Sequence, residues 1–101
     1  MVWWHLMSNV PEVTDNPSAS RFEILTDQGA AILTYRYRGA DLDLVHTEVP
    51  PALEGRGYAS ALATAALTYA RREGIKVIPT CPYVRAYLAR HPEYADLVAH
   101  S

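Results

Sequence analysis

Between Leu42 and Thr80 the sequence changes its period twice, and this fixes the architecture more than any other stretch of its 101 residues. Leu42 to Val49 is apolar or β-branched on both parities, as in a buried strand. Pro50-Pro51 stops it. Gly55 and Gly57 then flank a turn, and a helix is predicted from about Gly57 to Glu73, with Tyr58, Leu62, Ala65, Ala66 and Tyr69 as its apolar face. Ala61, Ala63, Ala65 and Ala66 raise helix propensity and allow close approach to a sheet. Gly74 suits the position after the helix, and Arg71 and Arg72 suit its negative end. Ile75 to Thr80 resumes as a strand. A strand–helix–strand crossover of this length makes the two strands parallel.

The upstream sequence supplies the antiparallel part. Arg21 to Thr26 alternates Phe22 and Ile24 with Arg21 and Glu23, and Asp27-Gln28-Gly29 is a short hairpin loop. Ala30 to Arg38 returns with Ala31, Leu33, Tyr35 and Tyr37 on one face. Ser8 to Ser20, with Pro11 and Pro17, reads as a lead-in loop. Downstream, Pro82 opens a short helix with Tyr83, Val84, Tyr87 and Leu88 as its stripe, and Pro92 ends it. One more turn is expected over Glu93 to Val98. The fold class is thus α/β (α+β). It has a mixed sheet of four to five strands: an antiparallel N-terminal meander, a parallel crossover and a short C-terminal helix. Residues 1–13 are expected to be an extension and 14–101 one domain. Met1 or Met7 is a possible start.

Charge and cysteine content narrow the function classes. With 9 basic and 11 acidic side chains the net charge is −2, and no basic run is present, which argues against nucleic acid as a partner. One cysteine excludes an internal disulfide and argues against a cysteine-based metal site; no metal is expected. Met1 to Met7 is apolar but short and lacks a basic flank, so neither a signal peptide nor a membrane span is expected. A cytoplasmic protein, monomeric or homodimeric, fits these features.

The glycine turn is suited to an anion. Backbone N–H groups at a helix start have no internal partner, the dipole is positive there, and glycine keeps side chains out of the way. Pro79 cannot donate to a ladder, so one side of its strand is unpaired. A gap between this strand and the preceding one near Pro79 would form a cleft. Cys81 ends the strand and abuts a helix start, where thiolates are stabilised. A small buried core residue is the ordinary alternative. His46 and Glu48 lie two residues apart and point to the same face unless a bulge intervenes.

Four segments in this order resemble the small single-domain branch of the GNAT superfamily of acetyltransferases: His46-Thr47-Glu48-Val49-Pro50, Gly55-Arg56-Gly57-Tyr58-Ala59-Ser60-Ala61-Leu62, Val77-Ile78-Pro79-Thr80-Cys81-Pro82-Tyr83-Val84 and His91-Pro92-Glu93-Tyr94. The resemblance implies acetyl-CoA as co-substrate and an unidentified amine as acceptor. It puts the CoA pyrophosphate on the turn of Gly55, Arg56, Gly57, Tyr58 and Ala59, and the pantetheine arm against the backbone of Glu48 and Val49. The family's turn carries Gln or Arg where Glu54 stands here. A carboxylate there repels pyrophosphate unless it points outward. The resemblance further implies that Cys81 lies beside the acyl group, either accepting it as a thioester or only lining the site. Glu48 or His46 would take the amine's proton, and Tyr83 or Tyr87 would protonate the departing thiolate. Each tyrosine also fits core packing. Larger members build part of the acceptor site from helices where Asp27-Gln28-Gly29 stands. The alternative function is therefore a CoA-binding or protein-interaction module with little or no catalysis.

Overall fold

A computed structural model describes residues 11–99, and the readings of Met1 to Met7 fall outside that range. Five strands form one sheet in sequence order: β1 (Thr14–Asn16), β2 (Arg21–Thr26), β3 (Gly29–Arg38), β4 (Asp41–Glu48) and β5 (Val77–Pro79). The first four pair antiparallel, and β5 pairs parallel with β4. Helix α1 (Tyr58–Glu73) makes the crossover, α2 (Pro82–Arg90) follows β5, and a 3₁₀ turn covers Pro92–Leu97. The lead-in segment contributes a strand that the loop signals at Pro11 and Pro17 concealed. β1 is fixed by side chains: Asp15 accepts from the Tyr35 hydroxyl at 2.7 Å, and Asn16 donates to Glu23 at 3.3 Å.

The hairpin register follows the predicted faces. Phe22 pairs with Leu33 and Ile24 with Ala31, so all four point to one side and all are buried. α1 packs on this side. Its buried face is Tyr58, Leu62, Ala63, Ala66, Leu67 and Ala70, with Ala65 and Tyr69 half-buried at the flank. The expected stripe is thus rotated toward Ala63 and Leu67, because the helix crosses β2, β3 and β4 rather than lying along one strand. α2 adds Val84 and Tyr87 to the same core.

β4 is not covered on both sides as its composition suggests. Among the described residues the helices lie on one face of the sheet. The other face carries Arg21, Ile32, Thr34, Arg36, His46 and Glu48, none of them fully buried, together with two buried carboxylates, Glu23 and Asp43. Its apolar content reflects a change of face within the strand. Tyr35 pairs with Leu44 but Thr34 with His46, so Val45 is an extra residue and the ladder bulges there. Before the bulge, Leu42 and Leu44 face the helices. After it, Thr47 does, beside its partner Leu33, while His46 and Glu48 face away.

Two outcomes follow from this packing. Ala66 is fully buried where α1 meets the sheet, so Ala66→Leu overpacks the contact and should cost about 1–3 kcal/mol. Thermal unfolding should register this as a fall of roughly 5 °C or more in melting temperature. Tyr37 shares a 2.7 Å hydroxyl hydrogen bond with Tyr69, which with burial pushes its pKa up to about 12 from its ordinary value of 10.0. The folded state therefore holds this proton after the unfolded chain has released it, and stability should fall as pH rises from about 10 toward about 12. Denaturant unfolding across that range should show a shallower fall for Tyr37→Phe.

Candidate functional site

The turn between Pro51 and Tyr58 is built by two left-handed glycines. Gly55 has φ 78° and Gly57 φ 83°, the second serving as N-cap of α1. Nothing lies within 4 Å of where a Cβ would stand on Gly55, so the backbone faces open space. The first N–H to enter the helix ladder is that of Ala61, donated to the Gly57 carbonyl at 3.0 Å. Those of residues 55–60 have no acceptor among the described residues. All of these residues except Arg56 border a cleft of about 270 Å³, which Val49, Leu53 and Tyr83 complete. Glu54, whose exposed carboxylate stands at its edge, borders it too. The donor set suits a phosphate or pyrophosphate: amide groups at the positive end of a sixteen-residue helix, with Arg56 exposed beside them. Glu54 is the opposing charge.

Val49, just after β4, and Tyr83, just after β5, border the cleft, and pairing between the two strands stops short of both. Parallel pairing ends with Leu44 opposite Pro79. A continuing ladder would send the Thr80 N–H to the Leu44 carbonyl. Instead Thr80 donates to Ile78 at 3.0 Å, and Cys81, one residue late, donates to Leu44 at 2.9 Å. The slip coincides with the Val45 bulge across the gap. Pro79 is tolerated because one side of its strand is unpaired there, as expected, and that side is the outer edge rather than the gap. The Leu42 N–H bonds to Lys76 O at 2.8 Å and the Ala99 N–H to Val77 O at 2.8 Å. By alternation the Pro79 nitrogen thus lies on the outer edge, which Val98 bridges only as far as Val77.

The candidate chemical groups fall on three levels. Val49, Gly55, Gly57, Tyr58, Ala59 and Tyr83 line the cleft. Cys81 lies behind it, 3% exposed, with Sγ 3.3 Å from the Thr47 hydroxyl. His46 and Glu48 are exposed on the opposite sheet face, and neither borders the cleft. Thr47 was not singled out in the sequence. Its neighbours His46 and Glu48 carry the obvious chemistry, and only the bulge turns it toward Cys81.

The two tyrosines separate cleanly. Thr64 donates its hydroxyl to the Ser60 carbonyl at 2.9 Å and so accepts from the Tyr87 hydroxyl. Tyr87 also stacks on His91 with ring centroids 4.1 Å apart. It ties α2 to α1. Tyr83 is half-buried, lines the cleft and has no hydroxyl partner among the described residues. The described residues contain no group of three or more His, Cys, Asp or Glu placed to hold a metal ion, and no helix long and apolar enough to cross a membrane.

Comparison with known proteins matches this arrangement. The chain is 46% identical to Protein NATD1 of Gallus gallus over 63 residues, 61% of this chain and 57% of that protein. It is 40% identical to Protein NATD1 of Danio rerio over 73 residues, 69% of this chain and 66% of that one. It thus spans less than two thirds of the length of either relative. Among solved structures, the NMR solution structure of a GCN5-like putative N-acetyltransferase from Staphylococcus aureus superposes with a TM-score of 0.71 at 25% identity, covering 92% of both chains. The model of the GCN5-related N-acetyl-transferase family matches residues 21–97, from the first long strand through the last turn, and the chain belongs to that family.

Proposed function

We propose that the protein is an acetyl-CoA-dependent N-acetyltransferase that acetylates an amine. The observation that carries this reading is the row of N–H groups at residues 55–60 without an acceptor among the described residues, at a cleft that Val49 and Tyr83 also border. A pyrophosphate on the turn directs the pantetheine arm along Val49 toward the gap, so the thioester reaches the level of Thr47 and Cys81.

The change of face at Val45 gives the two substrates separate approaches. The cofactor enters on the helix side. The amine comes from the open face, where His46 and Glu48 stand. Glu48, or His46 through water, takes the proton that an ammonium must lose before attack. The amine nitrogen then bonds the thioester carbonyl carbon, and the carbon–sulfur bond breaks. Tyr83 gives a proton to the leaving thiolate, the nitrogen releases its second proton to solvent, from which Tyr83 is reprotonated, and the products are the N-acetyl amine and the free CoA thiol. Cys81 sits behind the gap, and two routes use it differently. In one it accepts the acetyl group and passes it on. In the other it only lines the site, its thiol in hydrogen-bond range of Thr47. Glu54 at the cleft edge and the bare two-residue loop at Asp27–Gln28 favour the second reading, a CoA-binding module with little catalysis.

Titrating acetyl-CoA by calorimetry, then following its consumption with a panel of primary amines, tests both. Saturable binding with amine-dependent CoA release is expected. Binding without turnover selects the module, and no binding removes both readings. Glu54→Gln takes a negative charge from beside the pyrophosphate. It should tighten binding about two- to fivefold at low salt, an advantage that shrinks as salt screens it.

Two variants resolve the chemistry. Cys81→Ala should keep most of the transfer rate if the amine attacks directly, and lose about a hundredfold or more if the thioester route operates. Glu48→Gln should lower kcat about a hundredfold and abolish the acidic limb of the pH–rate profile. An unchanged profile removes Glu48 as base.

A further inference from the structure

The segment from Pro79 to Cys81 forms one wall of the gap, and three groups hold it where no ladder does. Arg85, one turn into α2, donates from Nη1 to the carbonyls of Pro79 at 3.1 Å and of Thr80 at 2.7 Å. In a regular continuation the Thr80 carbonyl would turn toward β4 and extend the pairing. Arg85 holds it away. On the open face the Thr80 hydroxyl donates to Asp43, which is wholly buried in β4. Asp43 is held in turn by Arg36 Nε at 3.7 Å and Arg38 Nη1 at 3.5 Å, both exposed. The third hold is the Cys81 N–H on Leu44.

A fully buried carboxylate is costly unless its partners are fixed. Asp43 lies on the face away from the helices and touches neither the cleft nor the glycine turn, so core packing does not account for it. It does fix Thr80 at the last point before the strands separate. We infer that Arg85 and the Asp43–Thr80 pair are positioning residues that fix where β5 leaves β4: the Thr80 hydroxyl anchors the end of β5 to β4 at Asp43, and Arg85 draws the Thr80 carbonyl out of the ladder, so that the strands part beyond this point with room for an acyl-pantetheine arm. This rests on the acetyl-CoA reading of the cleft for its purpose, but not for its geometry. The two N–H groups of a single nitrogen, Nη1, serve the two carbonyls, and the planar guanidinium holds them in one fixed direction.

Two variants in the full chain test this without dismantling the core. Arg85→Met keeps the apolar stem and removes the donors at an exposed position. Thr80→Val keeps the shape and removes the hydroxyl. Amide hydrogen exchange followed by NMR reads the wall directly. In both variants the Thr80 and Cys81 amides should exchange about tenfold or more faster, while core amides such as those of Leu33 and Leu67 keep their rates. The same variants should bind acetyl-CoA about tenfold more weakly.

Unchanged exchange at Thr80 and Cys81 overturns the clamp. Faster exchange with unaltered acetyl-CoA affinity overturns its positioning role. Should the unsubstituted protein fail to bind acetyl-CoA, the functional reading falls, and the exchange rates alone still decide whether the clamp exists.

Discussion

The site depends on the end of hydrogen bonding between β4 and β5. Two parallel strands that share a crossover helix would ordinarily pair along their full common length, since each ladder bond left unmade strands a donor and an acceptor. Here pairing stops at Leu44 and Pro79. On one side an extra residue at Val45 shifts β4 against β3. On the other a one-residue slip carries the Leu44 bond from Thr80 to Cys81. Neither irregularity alone opens a gap. Together they end the ladder while the Leu44 carbonyl keeps a donor in Cys81 and the Pro79 and Thr80 carbonyls find theirs in Arg85.

The rest of the chain maintains that opening. Small residues at Ala63, Ala66 and Ala70 bring α1 close enough to the sheet to set its N-terminus beside Val49. Gly57 at φ 83° turns the chain into the helix without a side chain over the first-turn amides. The Thr64–Tyr87 bond and the Arg71–Asp96 pair hold α2 and the last 3₁₀ turn against α1, so the second wall cannot drift from the first. The Arg71 guanidinium holds the Asp96 carboxyl below its usual range.

Local signals made much of this legible. The crossover, the hairpin at Asp27-Gln28, the glycine turn and the helix end at Gly74 each rest on neighbours in sequence, and each stands where the residues placed it. What stayed hidden was non-local. Periodicity alone puts His46 and Glu48 on the face of Leu42 and Leu44. Only pairing with Thr34 and Tyr35 discloses the bulge that turns them over. Thr47 looks like an ordinary strand residue until that turn brings it to Cys81. Asp43 carries no local signal of burial, and its partners Thr80, Arg36 and Arg38 are all distant or on another strand. β1 was lost to its prolines because its stability lies in Asp15 and Asn16 reaching β3 and β2.

The tyrosines show why spacing could not assign a proton donor. Tyr83 and Tyr87 stand four residues apart on one helix, and both qualify as core or as acid by position. Their hydroxyl partners differ. The Thr64 hydroxyl is within hydrogen-bond distance of both the Ser60 carbonyl and the Tyr87 hydroxyl; giving its one proton to the carbonyl, it accepts from Tyr87, and that engages the Tyr87 hydroxyl within the fold. That leaves Tyr83, whose ring borders the groove with its hydroxyl uncommitted among the described residues. Helix geometry put both side chains on one face. The hydrogen-bond inventory of a threonine on a different helix divides structural duty from chemical opportunity between them.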